Sequence, residues 1–394
     1  MCFAALVTGH HRAAAQLPAE LLPDMRPSQL QLNVCKDTPL GVVQPGGDIT
    51  EALQWACDHA HEFQQPIVIP AGEFLISDTI TTPYRAGFTL LGSGASHGIE
   101  HPRLRGVYTH LRWAGDEGGV MIRHQAGFAR VGNFLLDGRG KAAIGLLVSG
   151  AAKGLGTSKT IFEPIVGEGF DHLVQIGKTQ NTPNCDNMQF RWLEGKECKS
   201  SVLHMVNKMG MDIVVNHLRN YNPGSEQVGL LVDGGGQLWV QSSLTTSPGT
   251  LVKFNKDAGV GSHNGFYRFS QTKVDAQARD GFTLVDSDCP NQIRLLFDGG
   301  INSSDGMRIK LLGSNFLHLT DFSSHYTSIT GKTHRGWGTP AVLVEACRCW
   351  DNPAEKITGN VNLRMRDCTD WRSQWLDDFD SQAASKPAGQ ASDP

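Results

Sequence analysis

The sequence predicts an all-β chain wound as a single-stranded parallel β-helix, a solenoid whose coils stack into parallel sheets. Three observations point there. Glycine supplies 45 of the 394 residues, against a usual share of roughly 7%, and the glycines are scattered between short apolar runs without the every-third-residue period of collagen. The apolar runs are about four to six residues long, the length of short strands. They also recur: Gly229 to Thr250 spans 21 residues and Gly281 to Gly306 spans 25, which is the range of solenoid repeats. A Greek-key sandwich would repeat every 8–12 residues or so and would not use so long a chain.

The elements follow in order. Asp48 or Thr50 caps a helix from about Thr50 to Glu62, with Ala52, Leu53, Ala56, Cys57 and Ala60 as its apolar face. Ile67, Val68 and Ile69 form a strand, Pro70-Ala71-Gly72 a turn, and Phe74 to Ile76 a second short strand. Further strands are expected at 87–92, 119–123, 131–138, 143–148, 171–177, 211–215, 228–235, 250–254, 265–269, 281–286, 292–300, 306–313, 341–344 and 362–365. The stretch from Ser96 to Trp113, rich in His, Arg and aromatic residues, reads as a long loop over an early coil. These limits divide the chain into an extension (1–39), the solenoid (40–372) and a small, polar tail (373–394).

With 35 basic and 39 acidic side chains the formal charge is −4, which argues against a nucleic-acid partner. No stretch reaches the roughly 18 apolar residues that cross a membrane. The start, Met1 to Ala15, has a short apolar core with no basic region before it and is a weak export signal. The nine cysteines are odd in number and irregular in spacing, so they suit isolated buried thiols better than a disulfide framework or a zinc site. Neither Leu91 to Ser96 nor Gly234-Gly235-Gly236 has the spacing or lysine of a nucleotide-binding loop. Asn302-Ser303-Ser304 matches an N-glycosylation sequon.

The block Gly46-Gly47-Asp48, Thr50-Glu51-Ala52-Leu53-Gln54 and Ile67-Val68-Ile69-Pro70-Ala71-Gly72-Glu73-Phe74, followed by Gly87-Phe88-Thr89-Leu90-Leu91-Gly92, resembles the entry region of the pectate-lyase-like superfamily. The resemblance covers about residues 40 to 95. It implies a right-handed parallel β-helix with an N-terminal capping helix, and a polysaccharide as substrate. The superfamily holds polysaccharide lyases, hydrolases, epimerases, transglycosylases and phage tailspikes, so the fold does not choose a reaction. It also implies a secreted or periplasmic setting and, for several members, a homotrimer.

Candidate chemistry concentrates in the later coils. In Gly306-Met307-Arg308-Ile309-Lys310-Leu311 the alternation sends Met307, Ile309 and Leu311 inward and Arg308 and Lys310 outward. Two outward cations suit an anionic sugar, and the string resembles the arginine-isoleucine-lysine element of pectin-degrading hydrolases, which makes Arg308 and Lys310 substrate-binding. A solvated strand face carries the same pattern. Asp286, Asp288 and Asp305 are candidate acid, base or nucleophile for hydrolysis. The rest of that hydrolase signature is absent, so the sequence leans to β-elimination. Elimination needs a base and a cation or calcium to neutralise a carboxylate. His325, Tyr326, His334 and Arg335 have the chemistry, and His325 and Tyr326, as neighbours in a strand, face opposite ways. Trp192, Trp239, Trp337 and Trp350 could stack on sugar rings. A non-catalytic glycan-binding or tailspike-like β-helix is the alternative from another class.

Overall fold

The computed structural model describes residues 31–95, 107–150, 157–221, 227–246, 249–258, 265–275, 282–304, 306–370, 372 and 374–381. Parallel strands stack in three ladders, and the chain visits them in the same order on each coil. A typical coil runs Met188–Phe190, Leu193–Lys196 and Ser201–Met205. In later coils the first two strands merge into one long bent strand, such as Gly236–Thr245 or Ile293–Asn302. We call the three ladders the first, second and third sheets in that order.

The coil repeat is set by one inward column of the first sheet. Phe162, Phe190, Val215, Val240, Phe269, Phe297, Leu319, Val344 and Met365 lie in register on successive coils. All are buried. Phe162 stacks on Phe190 at 4.4 Å and Phe269 on Phe297 at 4.9 Å between ring centroids. Like side chains thus repeat at the strand spacing, and each coil buries the apolar face of its neighbour. Two residues past this column the chain bends into the second sheet at a left-handed position: Gln271, Gly299, Asp321, Ala346 and Asp367 have φ of 52°, 73°, 50°, 52° and 52°. Glycine and two aspartates tolerate that conformation locally, whereas at Gln271 and Ala346 the stacked coils hold the bend.

The expected helix is present but broken. It runs Thr50–Asp58 and resumes at Ala60–Phe63, with His59 non-helical and stacked on Trp55. Ile49 is the N-cap residue and Asp48 instead accepts the Thr50 N–H at 2.8 Å. The buried face is the expected one: Ala52, Leu53, Ala56 and Cys57. On the other side Gln54 bonds the backbone of Thr81, in the edge strand of the third sheet, through both amide atoms, which satisfies backbone groups an edge would leave open.

Several sequence expectations are corrected. Leu32–Asn33 pairs in parallel with Ile67–Val68, so the solenoid begins before residue 40. Phe379–Asp380 pairs antiparallel with Arg364–Met365, so paired structure also passes residue 372. The run 131–138 is two strands, Arg130–Gly132 and Phe134–Asp137, separated by Asn133 at φ 60°. Thr109–Trp113, expected in a loop, is a second-sheet strand paired with Gly72–Ile76. Its alternation places Leu111 and Trp113 in the core. The remainder of that loop, 96–106, lies outside the described residues. Asn302 of the sequon is buried and donates to Ser324, so it is no acceptor for a glycan in the folded chain.

Eight cysteines are described, all buried and unpaired in disulfides. Burial pushes the Cys198 thiol up to about 12, away from the reactive thiolate. His124 is also fully buried, between the hydroxyls of Thr82 and Thr160 at 3.2 and 3.4 Å. Desolvation pulls it down to about 3. The unfolded chain, with a histidine near 6.5, therefore binds a proton that the folded chain refuses as pH falls from about 6.5 toward 3. Stability is unaffected above that window and falls within it, by about 2 kcal/mol at pH 5 relative to pH 7 for this one group. His124→Gln is expected to flatten the plot of unfolding free energy against pH over pH 5–6 by close to one proton. An unchanged slope would contradict the assignment.

Candidate active site

The outward side chains of the third sheet form a file along the solenoid. In register on successive coils stand Arg123, Leu147, Gln175, His204, Leu231, Lys253, Asp286, Lys310 and Thr330. A second outward file carries His172, Ser201, Val228, Thr250, Thr283, Arg308 and Ser328. The inward neighbours Val174, Leu203, Leu230, Val252, Val285 and Ile309 are buried and fix the register, because a slip of one residue would expose them.

Six polar residues converge where His172 and His204 meet on adjacent coils. Their rings lie 4.2 Å apart. His204 Nε2 is 2.6 Å from Asp233 Oδ2. Asn255 donates to the other oxygen of Asp233, and Gln180 donates to its backbone carbonyl at 2.8 Å. The hydrogen bond from His204 first of all, with help from Asn255, holds the Asp233 carboxyl below its ordinary value. An ionised carboxylate only accepts, so His204 Nε2 carries a hydrogen, and in the neutral ring Nδ1 carries the lone pair. That Nδ1 is buried and has no protein partner. His172 Nδ1 is 2.8 Å from Ser201 Oγ. Burial, and then the neighbouring His204, pull His172 down to about 4, so it is neutral near pH 7. A positive charge arising on either ring is compensated from the Asp233 side.

Along the same face, Lys310 Nζ lies 2.8 Å from Asp286 Oδ1 and 2.8 Å from Asp288 Oδ1. The i, i+2 spacing does put both carboxylates on one side. Met307, Ile309 and Leu311 are buried and Arg308 and Lys310 face outward, as the alternation requires. Among the described residues, neither Arg308 nor Lys253 forms an ion pair.

The other sequence candidates scatter. His325 sits at the corner before the third sheet, 3.4 Å from Asp351 and against Trp350. His334 lies in the turn after it, bridged to Gly338, with Arg335 and Trp337 exposed in the same turn. The seven-residue strand Tyr326–Lys332 separates them, roughly 23 Å at the strand rise, so His325 and His334 cannot serve one bond. Tyr326 faces the core and is buried, which removes it as a base. Asp305 lies outside the described residues. Trp192 packs beneath Arg219 at 4.2 Å and donates to Glu194, whereas Trp239 is exposed on the first sheet. On the second sheet Arg112 bridges Glu73 at 2.6 Å and Asp137 at 3.1 Å, with His110 between them, an ion-pair network in which two carboxylates share one guanidinium. Among the described residues no three His, Cys, Asp or Glu are placed to hold a metal ion.

Sequence reasoning missed His172, His204, Asp233, Asn255 and Lys253. They are spread over some 80 positions and meet only through the coil register. The signal that would have found them is the 29-residue step from Gln175 to His204 followed by His204 to Leu231, and it is invisible until the inward column is aligned.

Neither a protein-family model nor a curated protein sequence matches the chain. Solved structures do. The A-module of the mannuronan C-5 epimerase AlgE4 from Azotobacter vinelandii matches at TM-score 0.58 and 12% identity, over 86% of this chain and 95% of that one. The Agl-KA catalytic domain matches at 0.56 and 14%, over 86% and 69%. The DFA-IIIase of Arthrobacter chlorophenolicus A6 without its lid matches at 0.53 and 12%, over 89% and 97%. At such identities the likeness concerns the fold. What it establishes is the architecture, a right-handed parallel β-helix.

Proposed function

We propose that this protein processes an extended anionic polysaccharide laid along the outer face of the third sheet, and that it does so by β-elimination. The observation that carries this is the pairing of a proton-handling cluster, His172, His204 and Asp233, with Lys253, a cation without an ion pair among the described residues, on the same outward face. His204 and Lys253 stand two coils apart, about 10 Å between backbones, with Leu231 between them as an apolar floor. A histidine and a lysine side chain can close on a single sugar ring across that gap.

Elimination needs these two parts. The C5 proton of a uronate is acidic enough to remove only when its carboxylate charge is countered, which is the role of Lys253. The proton passes to the histidine pair, and Asp233 stabilises the imidazolium that results. The C–H electrons become the C4–C5 double bond as the C4–O bond breaks, and the leaving oxygen takes its proton back from the imidazolium. Further along, Arg308 holds an acid group of the chain. A mannuronan C-5 epimerase shares the fold, and its named position is the carbon from which elimination takes a proton.

Hydrolysis is the second reading, favoured by one feature: Asp286 and Asp288 share the ammonium of Lys310. Incubation with pectate, alginate, glycosaminoglycans, ulvan, inulin and neutral plant glycans, with calcium and with chelator, separates these outcomes. Unsaturated-product absorbance and reducing ends should rise together on an acidic polymer. Reducing ends alone would transfer the chemistry to the aspartates. Silence in both with retention of one glycan would make this a binding module. Arg308→Ala is expected to lower the rate at least about tenfold, the loss of one charge-assisted contact, with the fold intact. A wild-type rate would remove Arg308 from the site.

A further inference from the structure

Charge along the groove alternates coil by coil. Lys253, Asp286 and Lys310 occupy one outward file on three successive coils. Lys253 makes no ion pair among the described residues. Lys310 is shared by two carboxylates, Asp286 and Asp288, so that group of three carries one excess negative charge. Arg308, on the same coil as Lys310 and in the neighbouring file, is again an unpaired cation among the described residues. Read along the axis, the face is positive at Lys253, negative at Asp286 and Asp288, and positive at Arg308. Beside Asp286 on the middle coil the second file offers a hydroxyl, Thr283, and the coil before it another, Thr250.

We infer that the polymer suited to this groove carries its acid groups on alternate sugars, one anionic unit followed by one neutral unit, and that Asp286 and Asp288 reject an acid in the neutral position. This rests on the functional reading above. The two cations are two coils apart, about 10 Å along the axis, a span comparable to a disaccharide. Carboxylates accept hydrogen bonds and donate none at neutral pH, so the middle coil suits the hydroxyl or amide N–H groups of an uncharged sugar. A second carboxylate placed there meets like charge, and repulsion of that kind is how a site discriminates against a competitor.

The test uses the whole protein and size-matched polymers of two kinds: alternating copolymers of a uronate and a neutral sugar, and homopolyuronates such as pectate and alginate. The expected result is a kcat/KM at least tenfold higher on an alternating copolymer. Asp286→Asn should shrink that ratio several-fold by raising use of the homopolyuronate. Asp288→Asn, at a more exposed carboxylate, should move it the same way and covers the case in which the first variant fails to fold. Equal or better use of homopolyuronate by the wild type, or a ratio unmoved in both variants, overturns this inference alone. Silence and lack of retention on every acidic polymer overturns the functional reading, and this inference with it.

Discussion

Asp233→Asn is expected to lower turnover by about 10²–10⁴-fold, the usual contribution of a positioned acid–base group, while the protein still melts cooperatively. The reason is the tautomer. With the aspartate ionised, His204 Nε2 donates to it at 2.6 Å, and the neutral ring keeps its lone pair on Nδ1. An amide can donate to Nε2 instead, which reverses the tautomer of the ring packed against His172 and removes the charge that stabilises an imidazolium. Asn255 would lose its carboxylate partner as well. A variant that keeps most of its rate would exclude the His204–Asp233 pair from the chemistry. His172→Ala should fall in the same range, and because the two rings pack together, 4.2 Å between centroids, the double variant should be little worse than either single one.

The largest expected loss of stability lies inside the solenoid. Phe190 is fully buried and stacks at 4.4 Å on Phe162, one coil below it in the inward column. Phe190→Ala should cost about 3–5 kcal/mol, the usual range for a buried phenylalanine left as a cavity. The neighbouring coils cannot close in, because their spacing is fixed by backbone ladders on three sides. Urea denaturation should show a lower midpoint at similar slope. A loss under about 1 kcal/mol would mean that the coils relax around the gap, contrary to the rigid stack described here.

Much of the fold was legible in the sequence, for a physical reason. Alternation within Gly306 to Leu311 fixes which residues enter the core, and glycine-bounded runs mark the strands, so Arg308 and Lys310 were placed outward correctly. The helix face of Ala52, Leu53, Ala56 and Cys57 followed from its spacing. What was not legible depends on stacking. The bends at Gln271 and Ala346 use residues with no turn signature, and strands such as Gly236–Thr245 run through a corner without a break in composition. The candidate site suffered most. Asp286, Asp288 and Lys310 are close in sequence by one coil and were seen. His172, His204, Asp233 and Lys253 belong to four different coils, and nothing short of the register joins them.

The central claim is one of place: the substrate lies on the outer face of the third sheet. Hydroxyl-radical footprinting of the Asp233→Asn variant, with and without the acidic polymer that the wild type processes, tests it most directly. Loss of labelling at His172 and Lys253, with Trp239 (53% exposed, on the first sheet) and Trp375 (73% exposed, near the last coil) labelled as before, is the result this account predicts. Protection of Trp239 with His172 and Lys253 unchanged would place the substrate on another face and contradict it.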